Sequence, residues 1–189
     1  MAKTLPPRTL LQDEIDVFSR QAPEGLVIAE VRGRTIIKLD WQGQDKTEKL
    51  DKAMGGLLPT VGQSTADSGK GALRYAPFSV LLVSAELTAR DLVAERQKSL
   101  SDLGVTWVDL SHGYVVLRLS GERAREVLDS MASTDLSAGR FNPGAVARTS
   151  IRKHQVLVHS LNSSCLEVYL ERSYALSFWH LLEHKIALG

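Results

Sequence analysis

Apolar residues along the chain alternate between a strand-like period of two and a helix-like period of three to four, and the order of these regimes occurs twice. In the first pass, GLVIAEV (25–31), the triplet Arg32-Gly33-Arg34 and TIIKLDW (35–41) read as two β-rich runs joined by a glycine-containing turn, the pattern of a hairpin. DKTEKLDKAM (45–54) follows as a helix that stops at Gly55-Gly56, where glycine accepts the left-handed C-cap. In the second pass, VTWVDL (105–110), Ser111-His112-Gly113 and YVVLRLS (114–120) predict another hairpin, followed by the helix GERAREVLDSMAS (121–133). Ile36 and Ile37 align with Val115 and Val116, and Leu50 with Leu128. Downstream, FSVLLVS (78–84) and the helix AELTARDLVAERQKSL (85–100) match SCLEVYL (164–170) and the helix ERSYALSFWHLLEHKIAL (171–188). Before the last strand the second half is longer: GAVARTSIR and HQVLVHSL read as two strands where the first half has only ALRYA.

The implied fold class is α+β: two pseudo-repeated hairpin–helix units with an antiparallel or mixed sheet and helices on one face. The expected organisation is an N-terminal arm over 1–24, a first half over 25–103 and a second half over 104–189, together one unit. Within the arm, Pro6-Pro7 predicts an extended segment, and Leu10, Leu11, Ile15 and Phe18 fall at helical spacing before Pro23. Such an arm packs either on its own domain or across a partner. Two helix stripes are read as core. Ala124, Val127, Leu128 and Met131 form one, and Ala175, Phe178, Trp179, Leu182 and Ile186 the other.

Composition narrows the function classes. The 189 residues carry 23 Lys+Arg against 22 Asp+Glu, and a net charge of +1 does not hold a nucleic-acid backbone by charge alone. Cys165 is the single cysteine, which excludes an intrachain disulfide and a cysteine-based zinc cage. The opening MAKTLPPRTLLQDEI has no apolar run of signal-peptide length, and no stretch approaches a membrane span, so a cytoplasmic chain is expected.

The motifs that suggest chemistry are incomplete. His180-Leu-Leu-Glu183-His184 fits the H-x-x-E-H pattern of some zinc peptidases. At 100° per residue from Phe178, however, the two histidines fall at about 200° and 240°, opposite the apolar stripe. A zinc site also needs a third ligand, and only five residues follow His184 to supply one downstream, so solvated helix histidines are expected. In GQSTADSGKG (62–71), Ser64 replaces the first glycine of a P-loop and Gly71 its hydroxyl residue, so a flexible loop is expected. No G-x-S-x-G elbow and no dinucleotide fingerprint is present. Cys165 reads as a small buried hydrophobe and His112 as a polar turn residue.

Several segments in order carry a family resemblance: Leu58-Pro59-Thr60, Asp109-Leu110-Ser111-His112-Gly113, VVLRLSGERAREVLDSMASTDL (115–136), Pro143-Gly144, Arg148-Thr149 and LEVYLERSYALSFWHLL (166–182). From about residue 50 to the C-terminus the chain resembles the gamma subunit of heterotetrameric sarcosine oxidase, which is related in fold to the folate-binding aminomethyltransferases. There are departures. The aminomethyltransferases carry an acidic residue in a strand pair where this chain reads SIRKHQVLVHSL, without a carboxylate, and Ala76-Pro77 is followed by Phe78 rather than tryptophan. The resemblance implies a non-catalytic small subunit of a complex that oxidises sarcosine or a related secondary amine. Such a complex transfers the methylene to tetrahydrofolate and forms hydrogen peroxide. FAD, FMN, NAD and tetrahydrofolate would then reside in larger partner subunits, with no catalytic, cofactor or metal residue in this chain. Leu10, Leu11, Arg140, Phe141 and Arg148 are the expected exposed anchors for those partners. The alternatives are a stand-alone folate-binding or aminomethyltransferase-like protein and an RNA-modification factor of the same broad fold.

Overall fold

The computed structural model describes residues 10–20, 22–66, 70–94 and 97–188. The extended segment expected at Pro6-Pro7 and the middle of the 62–71 loop lie outside them. Among the described residues ten strands form two five-stranded antiparallel sheets. The chain order is α1 (Gln12–Ser19), β1 (Val27–Glu30), β2 (Thr35–Asp40), α2 (Gln44–Ala53), β3 (Gln63–Ser64), β4 (Gly71–Ala76), β5 (Ser79–Ser84), α3 (Ala89–Ala94) and α4 (Gln97–Asp102). It continues with β6 (Thr106–Asp109), β7 (Tyr114–Ser120), α5 (Ala124–Asp129), β8 (Val146–Ile151), β9 (His154–Asn162), β10 (Cys165–Glu171), a single 3-10 turn and α6 (Ala175–Ala187).

Sheet I has the order β1-β7-β10-β9-β8 and sheet II the order β3-β4-β5-β2-β6. Read from its other edge, sheet II repeats sheet I position by position, with β6 in the place of β1 and β3 in the place of β8. The two strands of each expected hairpin therefore do not pair with each other. β1 pairs with β7 of the second half, and β6 pairs with β2 of the first. The links Val31–Arg34 and Leu110–Gly113 are crossovers between sheets rather than hairpin turns. The same contact anchors each of them: Val31 N–H donates to the Val116 carbonyl and Leu110 N–H to the Ile36 carbonyl, both at 2.8 Å. This register equates Ile36 with Val116 and Ile37 with Leu117, one residue on from the sequence alignment. A shift of one reverses the face. Ile36 and Val116 both point into the space between the sheets, whereas Ile37 and Leu117 both point at helices.

Four layers result. Helices α1, α5 and α6 cover sheet I over a core that includes Leu117, Leu119, Val158, Leu166, Phe178 and Trp179. Helices α2, α3 and α4 cover sheet II over Ile37, Leu39, Leu50, Val80 and Leu100. Between the sheets, Ile36, Leu73, Leu81, Val83, Val116, Val146, Leu157 and Tyr169 make a third, thinner core. Both helix stripes are placed as expected: Ala124, Val127, Leu128, Met131, Ala175, Phe178, Trp179 and Leu182 are buried, and Ile186 packs against them.

Local chemistry explains where elements stop short. The expected helix over 85–100 begins only at Ala89, because Ser84 Oγ accepts the Glu86 and Leu87 N–H groups and turns the chain. Thr88 then caps α3 through the Asp91 N–H, and residues 95–96 between α3 and α4 lie outside the described set. Gly121 (φ +108) lets β1 enter beside β7, since a Cβ there would collide with the Gly25 carbonyl oxygen. The start of the loop expected over 62–71 is a short strand, where Gln63 and Ser64 pair with Arg74 and Leu73.

Candidate functional site

The space between the sheets holds the buried polar chemistry. Alternation along β10 sends Leu166, Val168 and Leu170 to the helices and Glu167, Tyr169 and Glu171 toward sheet II. Cross-strand register then sets Arg118 on β7 and His159 on β9 directly beside Glu167. Arg34, at the end of the first crossover, reaches the same carboxylate from the other sheet.

Glu167 is 1% exposed and fully engaged. Oε2 accepts from Arg34 Nη1 and, at 2.7 Å, from the Tyr169 hydroxyl, while Oε1 accepts from Arg118 Nη2 at 2.7 Å and Nε at 3.2 Å. Arg34 Nη1 also donates to the Tyr169 oxygen at 2.6 Å. Burial pushes the carboxyl upward, but Arg34, Arg118 and Tyr169 outweigh it and leave Glu167 below its ordinary range. Burial, then Glu167, raises the Tyr169 hydroxyl far above its ordinary value. His159 is pushed down to about 4, mainly by burial and only partly offset by Glu167. Its Nε2 lies 2.8 Å from Ser64 Oγ, and its Nδ1, without a hydrogen bond, lies 4.0 Å from Glu167 Oε2. The Nδ1–H tautomer fits this setting, directing its proton toward the carboxylate while Nε2 accepts from Ser64. A neutral imidazole and a carboxylate pinned by two guanidiniums link the two sheets; neither is a free base.

Farther along the same seam the sheets part around a cleft of about 570 Å³. Lys38, Tyr75 and Leu81 of sheet II line one wall, and Tyr114, Arg148, Leu157, Tyr169, Glu171 and Arg172 the other. Arg148 lies 6.0 Å from the Tyr75 ring centroid, and Lys38 pairs with Asp40 at 2.7 Å. Burial, followed by Glu171 and Tyr75, raises the Tyr114 hydroxyl. The cleft is large enough for a small molecule.

The residues singled out from sequence are scattered. Leu11, expected exposed, is fully buried, because α1 packs its apolar stripe on sheet I: Ile15 lies beside it, and Phe18 meets Trp179 edge to face at 5.5 Å. Phe141 is also buried rather than exposed. Buried Arg125 donates to the carbonyls of Leu136 (2.6 Å) and Phe141 (3.0 Å) and folds that loop inward. Leu10 and Arg140 are exposed, and Arg148 is exposed at the cleft. His112 sits exposed in a turn, and His180 and His184 are exposed on α6. Among the described residues no three His, Cys, Asp or Glu side chains converge to hold a metal. Cys165 is half-buried, and burial raises its thiol. The Glu167 network was missed. Its one signal in the sequence was a glutamate at a core-facing position inside an apolar strand.

Residues 46–187 match the sarcosine oxidase, gamma subunit family. No curated protein matches the chain in sequence. Among solved structures, a chain of the heterotetrameric sarcosine oxidase from Corynebacterium sp. U-96, in complex with pyrrole 2-carboxylate, is similar at 24% identity and a TM-score of 0.82, covering 96% of this chain and 95% of that one. The glycine cleavage system aminomethyltransferase T from Bartonella henselae is similar at 17% identity and a TM-score of 0.60, over 84% of this chain and 45% of that one. Both share the fold. Among the described residues no helix is long and apolar enough to cross a membrane.

Proposed function

Because the chain belongs to the sarcosine oxidase, gamma subunit family, we propose that it is the non-catalytic small subunit of a heterotetrameric, cytoplasmic complex that oxidises sarcosine or a related secondary amine. The complex passes the methylene to tetrahydrofolate and reduces oxygen to hydrogen peroxide, with FAD, FMN, NAD and tetrahydrofolate held by its larger subunits. The observation that carries this reading is the family match over 46–187 combined with a structural likeness that spans nearly the whole of both chains. The state of the polar residues supports the non-catalytic part. A general base needs a free lone pair within reach of substrate, and Glu167 has both oxygens bound to cations while His159 is 1% exposed.

Exposed anchors suited to partner contact are Leu10 and Arg140, joined by Trp107 and Val108 on the edge strand β6, whereas Arg148, the third expected anchor, lines the cleft. The test is co-expression with the large flavin-carrying subunits. The expected result is co-purification in a coloured, amine-oxidising assembly, with this chain alone colourless and inactive. A stable monomer that ignores those subunits overturns the reading.

A further inference from the structure

The cleft has features that a subunit without ligands does not require. Three cationic heads, Lys38, Arg148 and Arg172, line it against one carboxylate, Glu171. Lys38 is paired with Asp40, but Arg148 and Arg172 make no ion pair among the described residues. The half-buried Tyr75 and Tyr114 hydroxyls make no hydrogen bond among the described residues either. Tyr169 is fully buried behind the cleft with its hydroxyl committed to Glu167, and Leu81, Leu110 and Leu157 supply apolar lining. A volume of about 570 Å³ lies in the range of small-molecule sites, where an apolar lining supplies contact and a few polar groups set orientation. Guanidinium groups accept carboxylates in forked geometry, and a flat body stacks on tyrosine.

We infer that this cleft is a binding site for a small organic anion, its flat body lying against Tyr75 and Tyr114 and its carboxylate received by Arg148 and Arg172. The site is distinct from the pinned Glu167 network, and the inference stands whether or not the subunit reading holds.

The probe is 2-naphthoate, which fluoresces, with neutral 2-naphthamide as its control. Both are titrated into the full chain alone and into the assembly co-purified with its partners. The expected result is saturable naphthoate binding in both samples with a Kd of about 1 mM or tighter, and binding of the amide at least about tenfold weaker. The R148Q/R172Q chain, with an unchanged circular dichroism spectrum, is expected to lose at least about tenfold in affinity for naphthoate. Y75L alone tests the stacking wall and is expected to weaken naphthoate and naphthamide in parallel. Equal binding of acid and amide, or undiminished binding by R148Q/R172Q, overturns the inference. Binding by the free chain but not by the assembly also overturns it, since the cleft is then filled by a partner subunit.

Discussion

Glu167 and Glu171 stand on the same face of one strand with Tyr169 between them, yet their surroundings are opposite. Glu167 is 1% exposed and takes hydrogen bonds from Arg34, Arg118 and Tyr169. Glu171 is exposed at the mouth of a cleft whose arginines have no ion-pair partner among the described residues. The sheets close at one end of the seam and part at the other. At the closed end the carboxylate is fully engaged within the fold; at the open end arginines are left for something outside. A residue type alone therefore says little about role, while its burial and the groups bonded to it say much.

The strongest way to break the contrast is Glu167→Ala. It leaves Arg34 buried without its counter-charge and is expected to cost about 3–5 kcal/mol in denaturant-unfolding stability. Replacing both partners, as in R34M/E167L, is expected to recover much of that loss. An unchanged midpoint for E167A would mean that the closed end does not hold the sheets together.

Acid is expected to act at the closed end next. Buried His159 stays neutral down to about 4, while the unfolded chain takes up a proton near 6.5. The stability this imbalance protects is complete above pH 6.5 and declines as pH falls toward 4, by about 3 kcal/mol in total. Glu167, held below its ordinary range, adds a further loss as pH falls through its own folded value. In H159Q, stability measured between pH 7 and 4 is expected to vary much less.

A smaller effect is expected from Gly121→Ala. The new Cβ meets the Gly25 carbonyl oxygen and the residue is left at φ +108, a strain of about 1–3 kcal/mol. Because β1 leads directly into the crossover that carries Arg34, hydrogen exchange should quicken along β1 and β7 and leave β4 and β5 unchanged. The smallest effect belongs to the open end. Arg148→Gln is expected to shift stability by no more than about 0.5 kcal/mol, since its charge makes no ion pair among the described residues and only an exposed contact with the Tyr75 ring.

Much of the element order was legible because strand and helix periods are local properties. Helix α2, helix α6 with its Phe178–Trp179–Leu182 stripe, and the strand pair β8–β9 all follow from spacing alone. Pairing was not legible. VIAE and TIIKLD carry the same pattern whether they pair with each other or with strands in the other half, and three residues of Arg-Gly-Arg suit a turn as well as a crossover. The closed end was hidden for a related reason. Glu167 gains its meaning from Arg34, which is distant in sequence and arrives only through the exchange. Leu11 and Phe141 show the same limit: an apolar residue near a terminus or in a loop reads as exposed until the buried Arg125 or the face of sheet I is in view.

The exchange of first strands also bears on how the chain comes to be folded. Val27 must find Ser120, and Glu30 must find Leu117, so β1 has no partner until the second half has been synthesised. Until then sheet II also lacks β6, and neither half can complete its sheet. Closing so long a stretch of chain adds to the entropic barrier and slows the search. During synthesis on the ribosome, the first half waits with two open edges until β6 and β7 have emerged. That waiting period is when this chain is most exposed to mispairing.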